Sequence, residues 1–146
     1  MSDPLPQAMA EQVRDAMYAK DVAARSLGIE VRAIGPVNAT MSMRVRADML
    51  NGHGVCHGGL IATLADTAFA YACNACNQQT VAAGFGIDLV APGRLGDVLI
   101  ATATEVSKGK RTGVYDVEVR DGEGRLVAVF RGRSHSRPDK PNVATG

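Results

Sequence analysis

One acid constrains this chain more than any other residue. From Leu60 to Ala72 the sequence runs L-I-A-T-L-A-D-T-A-F-A-Y-A, dense in Ala and Leu and free of Pro, with Gly58 and Gly59 just ahead of it. That composition predicts a helix. At about 100° per residue its apolar positions do not gather into a single stripe. Leu60, Leu64 and Tyr71 fall on one side, and Gly59, Ala62, Phe69, Ala70 and Cys73 on the other. A helix that is apolar all round is a buried helix. Asp66 is the only charged residue between Gly58 and Cys76. An isolated carboxylate leaves water only at high cost unless it is paired or protonated. Asp66 is therefore either a satisfied structural acid or a working one.

The residues ahead of the helix point to work. Gly58 and Gly59 allow close approach to a helix N-terminus, where unpaired NH groups and the positive dipole end can receive an oxyanion. Asn51, His53 and His57 add polar groups just upstream. An acid, an NH-lined anion site and amide or imidazole side chains make a hydrolytic constellation.

The remaining chain supplies a sheet. Gln7 to Ser26 is expected to be helical, with Met9, Val13 and Met17 spaced for packing; Asp21 is placed to cap a second short turn, and Gly28 to stop it. Ile29, Val31 and Ala33 alternate with Glu30 and Arg32 up to a Gly35-Pro36 turn. Ala39, Met41, Met43 and Val45 then alternate with Thr40, Ser42, Arg44 and Arg46, which reads as a half-buried hairpin with the methionines filling core. Past the helix, strands are expected around Val81 to Leu89, Asp97 to Ser107, Arg111 to Asp121 and Leu126 to Arg133, before a Pro- and Gly-containing flexible tail from Pro138. Consecutive strands joined by short turns imply a mainly antiparallel sheet wrapped around the helix, an α+β class.

At 146 residues the chain reads as one domain spanning 1–146. A formal net charge of +1 argues against nucleic-acid binding by bulk charge, and no run is long and apolar enough for a membrane span. No leader is visible at the start, so a cytoplasmic location is expected. Three cysteines then suit free thiols better than a disulfide framework. His53, Cys56, His57, Cys73 and Cys76 give zinc-like spacings, but a straight helix separates Cys73 from His57 by roughly 24 Å, so no metal or other cofactor is expected. His135, in a closing strand, reads as a surface or interface residue.

The run N-G-H-x-x-x-H-G-G-x-x-x-x-L-A-D, Asn51 to Asp66, resembles the signature of hotdog-fold acyl-CoA thioesterases. N-G-H-G-V-C-H-G-G-L-I-A-T-L-A-D-T-A-F-A-Y-A-C-N is similar to the PaaI type of phenylacetate degradation, and L-V-A-P-G-R-L-G-D-V-L, G-K-R-T-G-V-Y-D and V-F-R-G-R-S-H fit the same family. The resemblance implies the hotdog fold, hydrolysis of phenylacetyl-CoA and its ring-hydroxylated relatives, and a homo-oligomer built as a dimer of dimers. It implies that Gly58 NH stabilises the oxyanion, that His57 positions the loop or carbonyl, and that Asp66 attacks the carbonyl or activates a water held by Asn51. The CoA phosphates of such a substrate would suit Arg94, Lys108, Lys110 and Arg111. Two other uses of the same pocket remain: hydration or dehydration of an acyl thioester, and noncatalytic acyl-CoA binding.

Overall fold

The computed structural model describes residues 4 to 145. Two helices, α1 (Pro4–Lys20) and α2 (Val22–Ser26), lead into strands β1 (Glu30–Gly35) and β2 (Asn38–Arg44). A short 3-10 turn, Ala47–Met49, precedes the long helix α3 (Gly58–Asn74). Four strands complete the chain: β3 (Gln79–Leu89), β4 (Val98–Lys108), β5 (Thr112–Arg120) and β6 (Leu126–Arg137). All six strands form one antiparallel sheet in the order β1-β2-β4-β5-β6-β3. The sheet curves around α3, which is the hotdog arrangement the sequence implied.

Period-two patterning explains which strand faces meet α3. Leu99, Ala101 and Ala103 of β4, Tyr115, Val117 and Val119 of β5, and Ala128 and Phe130 of β6 join Ile61, Leu64, Ala68, Phe69 and Ala72 of α3 in a single buried cluster. Met41 and Met43 are core, as their alternation indicates. Gly132 faces inward where the Phe69 ring lies, and a Cβ there would stand 2.8 to 3.0 Å from three ring atoms.

The pattern predicts helix over 7–26 with Asp21 placed to cap a second short turn, and the structure divides the segment there. The Asp21 carboxylate accepts the Ala24 NH at 3.1 Å and restarts the chain as α2. In β1 a register shift between Val31 and Ala33 turns Ile34, not Ala33, toward the core. β6 runs on to Arg137, paired with β3 throughout, although its inward positions past Phe130 are Gly132, Ser134 and Ser136, which carry no hydrophobic signal; the Ser136 hydroxyl lies 3.0 Å from that of Thr80. In the tail from Pro138, Asn77, at φ 67, accepts the Asn142 and Val143 NH groups at 2.9 Å, and Lys140 O accepts the Gln79 NH at 2.8 Å.

The largest departure concerns α3 itself. Phe69 and Cys73 pack inward, but Gly59 is exposed and Ala62, Thr63, Asp66 and Ala70 are only partly covered. These positions share one stripe at helical spacing. The curved sheet and the N-terminal helices together cover the rest of α3, and no element among the described residues closes over this stripe.

Candidate active site

The loop before α3 is built by one side chain. Asn51 Oδ1 accepts the NH groups of His53 at 2.9 Å and Val55 at 3.3 Å, and its own NH donates to Val55 O at 2.8 Å. Gly54 turns the loop at φ 77, a left-handed conformation that glycine takes without strain. Cys56 NH donates to Gly93 O and His57 NH to Met49 O, so the loop is anchored on both sides of the helix start. His57 is the N-cap by its backbone, its carbonyl accepting from Leu60 and Ile61, while its imidazole is exposed and makes no capping bond.

Gly58 is the first residue of α3, and the NH groups of Gly58 and Gly59 have no helix carbonyl four residues back to bond. It borders an open cleft of about 320 Å³ with Asn51, Val55, Cys56, Leu89 and Pro92. A Cβ on Gly58 would lie 2.5 Å from Leu89 Cδ1, so the end of the Leu89 side chain packs directly on the bare backbone at the helix start. An anionic oxygen entering the cleft meets NH donors and a helix dipole.

Asp66 stands half-buried on the open stripe and forms no hydrogen bond or ion pair with a described residue. Burial raises its pKa above the ordinary carboxylate value, and the Asp21 charge raises it further. Asp21 is held in place by accepting the Tyr71 hydroxyl at 3.1 Å.

The structure brings Asn51, His57 and Gly58 together, but not with Asp66. Eight residues of helix separate Gly58 from Asp66, about 12 Å along the axis, against about 1.2 Å for a carbonyl bond. One carbonyl cannot meet both groups of a single chain. The basic residues divide as well. Arg94 lies next to Gly93 at the helix-start end, while Lys108, Lys110 and Arg111 occupy the β4–β5 turn, the length of an 11-residue strand away, about 36 Å. Lys108 Nζ donates to Gln78 Oε1 at 3.1 Å, beyond the C-terminal end of α3.

His53, Cys56 and His57 stand at one end of α3 and Cys73 and Cys76 at the other. Burial pushes the Cys73 thiol up to about 12, away from the thiolate a metal needs. Among the described residues no group of three or more His, Cys, Asp or Glu is arranged to hold a metal ion. Two participants escaped the sequence reading. Leu89 lines the cleft, though its strand pattern signals only alternation, and Asp21 acts electrostatically on Asp66, though its position signals only a cap.

Residues 53–128 match the Thioesterase superfamily. The chain is 48% identical to Acyl-coenzyme A thioesterase PaaI of Escherichia coli (strain K12) over 126 residues, 86% of this chain and 90% of the relative. It superposes on the structure of the E. coli PaaI protein from the phenylacetic acid degradation operon with a TM-score of 0.88 and 46% identity, covering 90% of this chain and 95% of that one. A hypothetical thioesterase from Streptococcus pneumoniae TIGR4, solved with coenzyme A, matches at a TM-score of 0.79 and 25% identity, covering 85% of this chain and 98% of that one. No helix among the described residues is long and apolar enough to cross a membrane.

Proposed function

This chain belongs to the thioesterase superfamily and is an acyl-CoA thioesterase, and from that premise we propose that it hydrolyses phenylacetyl-CoA and ring-hydroxylated phenylacetyl-CoA to the free acid and CoA. The observation that carries the substrate is the 48% identity, over most of both chains, to a relative whose structure is described as coming from a phenylacetic acid degradation operon.

The separation of Gly58 from Asp66 leads to a site shared between two copies. β3 is a sheet edge, and it leaves Val81 and Leu89 at 65% and 51% exposure. Antiparallel pairing of this edge with itself closes it and sets two α3 helices side by side, open stripe to open stripe, running in opposite directions. The N-terminus of one helix then lies beside the later turns of the other. The thioester carbonyl takes hydrogen bonds from Gly58 NH of one chain, with His57 bordering it, and meets Asp66 of the partner subunit on its other side. A further pairing gives a dimer of dimers, in a cytoplasmic protein.

Asp66 works ionised by one of two routes. As a base it takes a proton from water while the water oxygen bonds to the carbonyl carbon. As a nucleophile it bonds to that carbon itself, and water then cleaves the mixed anhydride. In both the carbonyl electrons move onto the oxygen held by Gly58 NH, then return as the C–S bond breaks and the CoA thiolate leaves to take up a proton. Asn51 Oδ1 is committed to its loop, which leaves its NH2 group to hold the water. Arg94 at one end, or Lys108, Lys110 and Arg111 at the other, face the CoA phosphates. The antiparallel helices bring the β4–β5 turn of one chain toward the helix start of its partner. Release of free thiol from a panel of aryl and straight-chain acyl-CoAs tests the assignment. A clear preference for phenylacetyl-CoA is expected, and a preference for long fatty acyl chains overturns it.

A further inference from the structure

Phe85 is an anomaly of the inner sheet face. It pairs with Gly132 in the β3–β6 ladder and so points to the same side as the core, yet it is 45% exposed. Its ring is not loose. It stacks on Phe130 with centroids 4.8 Å apart and planes at 29°. Phe130 in turn meets Phe69 at 5.8 Å, and Phe69 meets Tyr115 at 5.6 Å. An aromatic row thus runs from the buried core out to the edge strand, and its outermost ring is held by the rings behind it.

The row begins one helical turn past the acid. Phe69 follows Asp66 by three residues, which places it on the flank of α3 between the open stripe and β3. On the stripe itself Gly59, Ala62 and Ala70 have little or no side chain, and each is exposed or only partly covered. A fixed, flat, half-exposed ring on the helix side of the sheet favours another flat ring, since aromatic pairs gain from offset stacking beyond their buried area. A linear alkyl chain covers only part of such a face. Because the ring is already immobilised by Phe130, little side-chain freedom is lost when a ligand stacks on it.

We infer that Phe85 is a specificity-determining residue, forming the wall against which the aryl ring of the acyl group stacks. The inference rests on the aryl-CoA reading above and adds to it the side chain that selects the ring. The test compares wild type, Phe85→Leu and Phe85→Tyr on phenylacetyl-CoA and hexanoyl-CoA, with the mass of each variant in solution measured by light scattering. Phe85→Leu should lower the phenylacetyl-to-hexanoyl ratio of kcat/KM roughly 3- to 10-fold, the value of one offset stack, with the loss carried by KM. Phe85→Tyr should keep the wild-type ratio. An unchanged ratio in Phe85→Leu overturns the inference while a wild-type preference for phenylacetyl-CoA leaves the substrate reading standing. A variant that loses assembly, and loses both substrates in proportion, overturns it too, because Phe85 is then only a contact between copies. A wild type that favours hexanoyl-CoA removes the aryl reading and this inference together.

Discussion

Asp66 carries two burdens in opposite directions. Burial, and then the charge of Asp21, raise its pKa, so the folded state binds a proton more tightly than the unfolded chain does. Stability therefore falls as pH rises out of the acid range, and above the raised pKa the ionised carboxylate is a standing cost to the fold. Catalysis needs that same ionised form. Asp66→Asn should lower kcat at least about 100-fold, the low end for removing a general base. The same change should raise the melting temperature at pH 7, where a structural acid held by partners would lower it. In wild type the acid limb of kcat/KM should lie above the ordinary carboxylate range. Asp21→Asn checks the cause of the shift. Asn caps a helix as well as Asp, so α2 should persist, while loss of the charge should move that acid limb to lower pH. A limb that stays in place excludes Asp21 from tuning the site.

Elements were legible where periodicity dominates and illegible where a single residue overrides it. α3 and the alternation of β2, β4 and β5 follow directly from hydrophobic spacing. The break between α1 and α2 is marked by a cap residue rather than by spacing, Asp21 interrupting the helix through one side-chain bond to Ala24 NH. The inner face of β6 past Phe130 is Gly and Ser, a composition that signals nothing until the Phe69 ring is seen to fill the place of a Gly132 side chain. Phe69 is held between Tyr115 and Phe130 and has nowhere to withdraw. Gly132→Ala should therefore destabilise by about 1–3 kcal/mol, as overpacking does, measured by thermal or urea unfolding. The helix start allows the reverse kind of change. His57 precedes Gly58 at φ -55 and ψ 132, a conformation that suits a residue before proline, and proline is well tolerated at the first helical position. Gly58→Pro removes the NH assigned to the oxyanion and costs the helix no internal bond; only the end of the Leu89 side chain must shift. Loss of turnover with α3 intact by circular dichroism is the expected result, and full activity would clear Gly58 NH of any role.

At the scale of the whole molecule the sequence was least informative, because one-dimensional spacing places Asn51, Gly58 and Asp66 close together while the helix holds Gly58 about 12 Å from Asp66 along its axis. A helix that reads as apolar on all sides proves open along one stripe in a single chain, and a strand that reads as ordinary is an edge with its apolar side chains exposed. Both observations are resolved if a second copy supplies the missing cover and, with it, the missing half of the site. Subunit complementation tests this directly. Asp66→Asn retains the Gly58 NH, and Gly58→Pro retains the acid, so each variant alone has two defective sites per dimer. In a mixed dimer one site combines the intact NH of the first chain with the intact acid of the second, and the other site carries both defects. Random pairing of the two chains at equal amounts makes half the dimers mixed, which should restore about one quarter of wild-type activity. Each parent must first melt as a folded protein, and the chains are then co-expressed so that they pair during folding. Activity that stays at the level of the two parents would mean that each site lies within one chain, and that the acid and the helix start do not act on the same carbonyl.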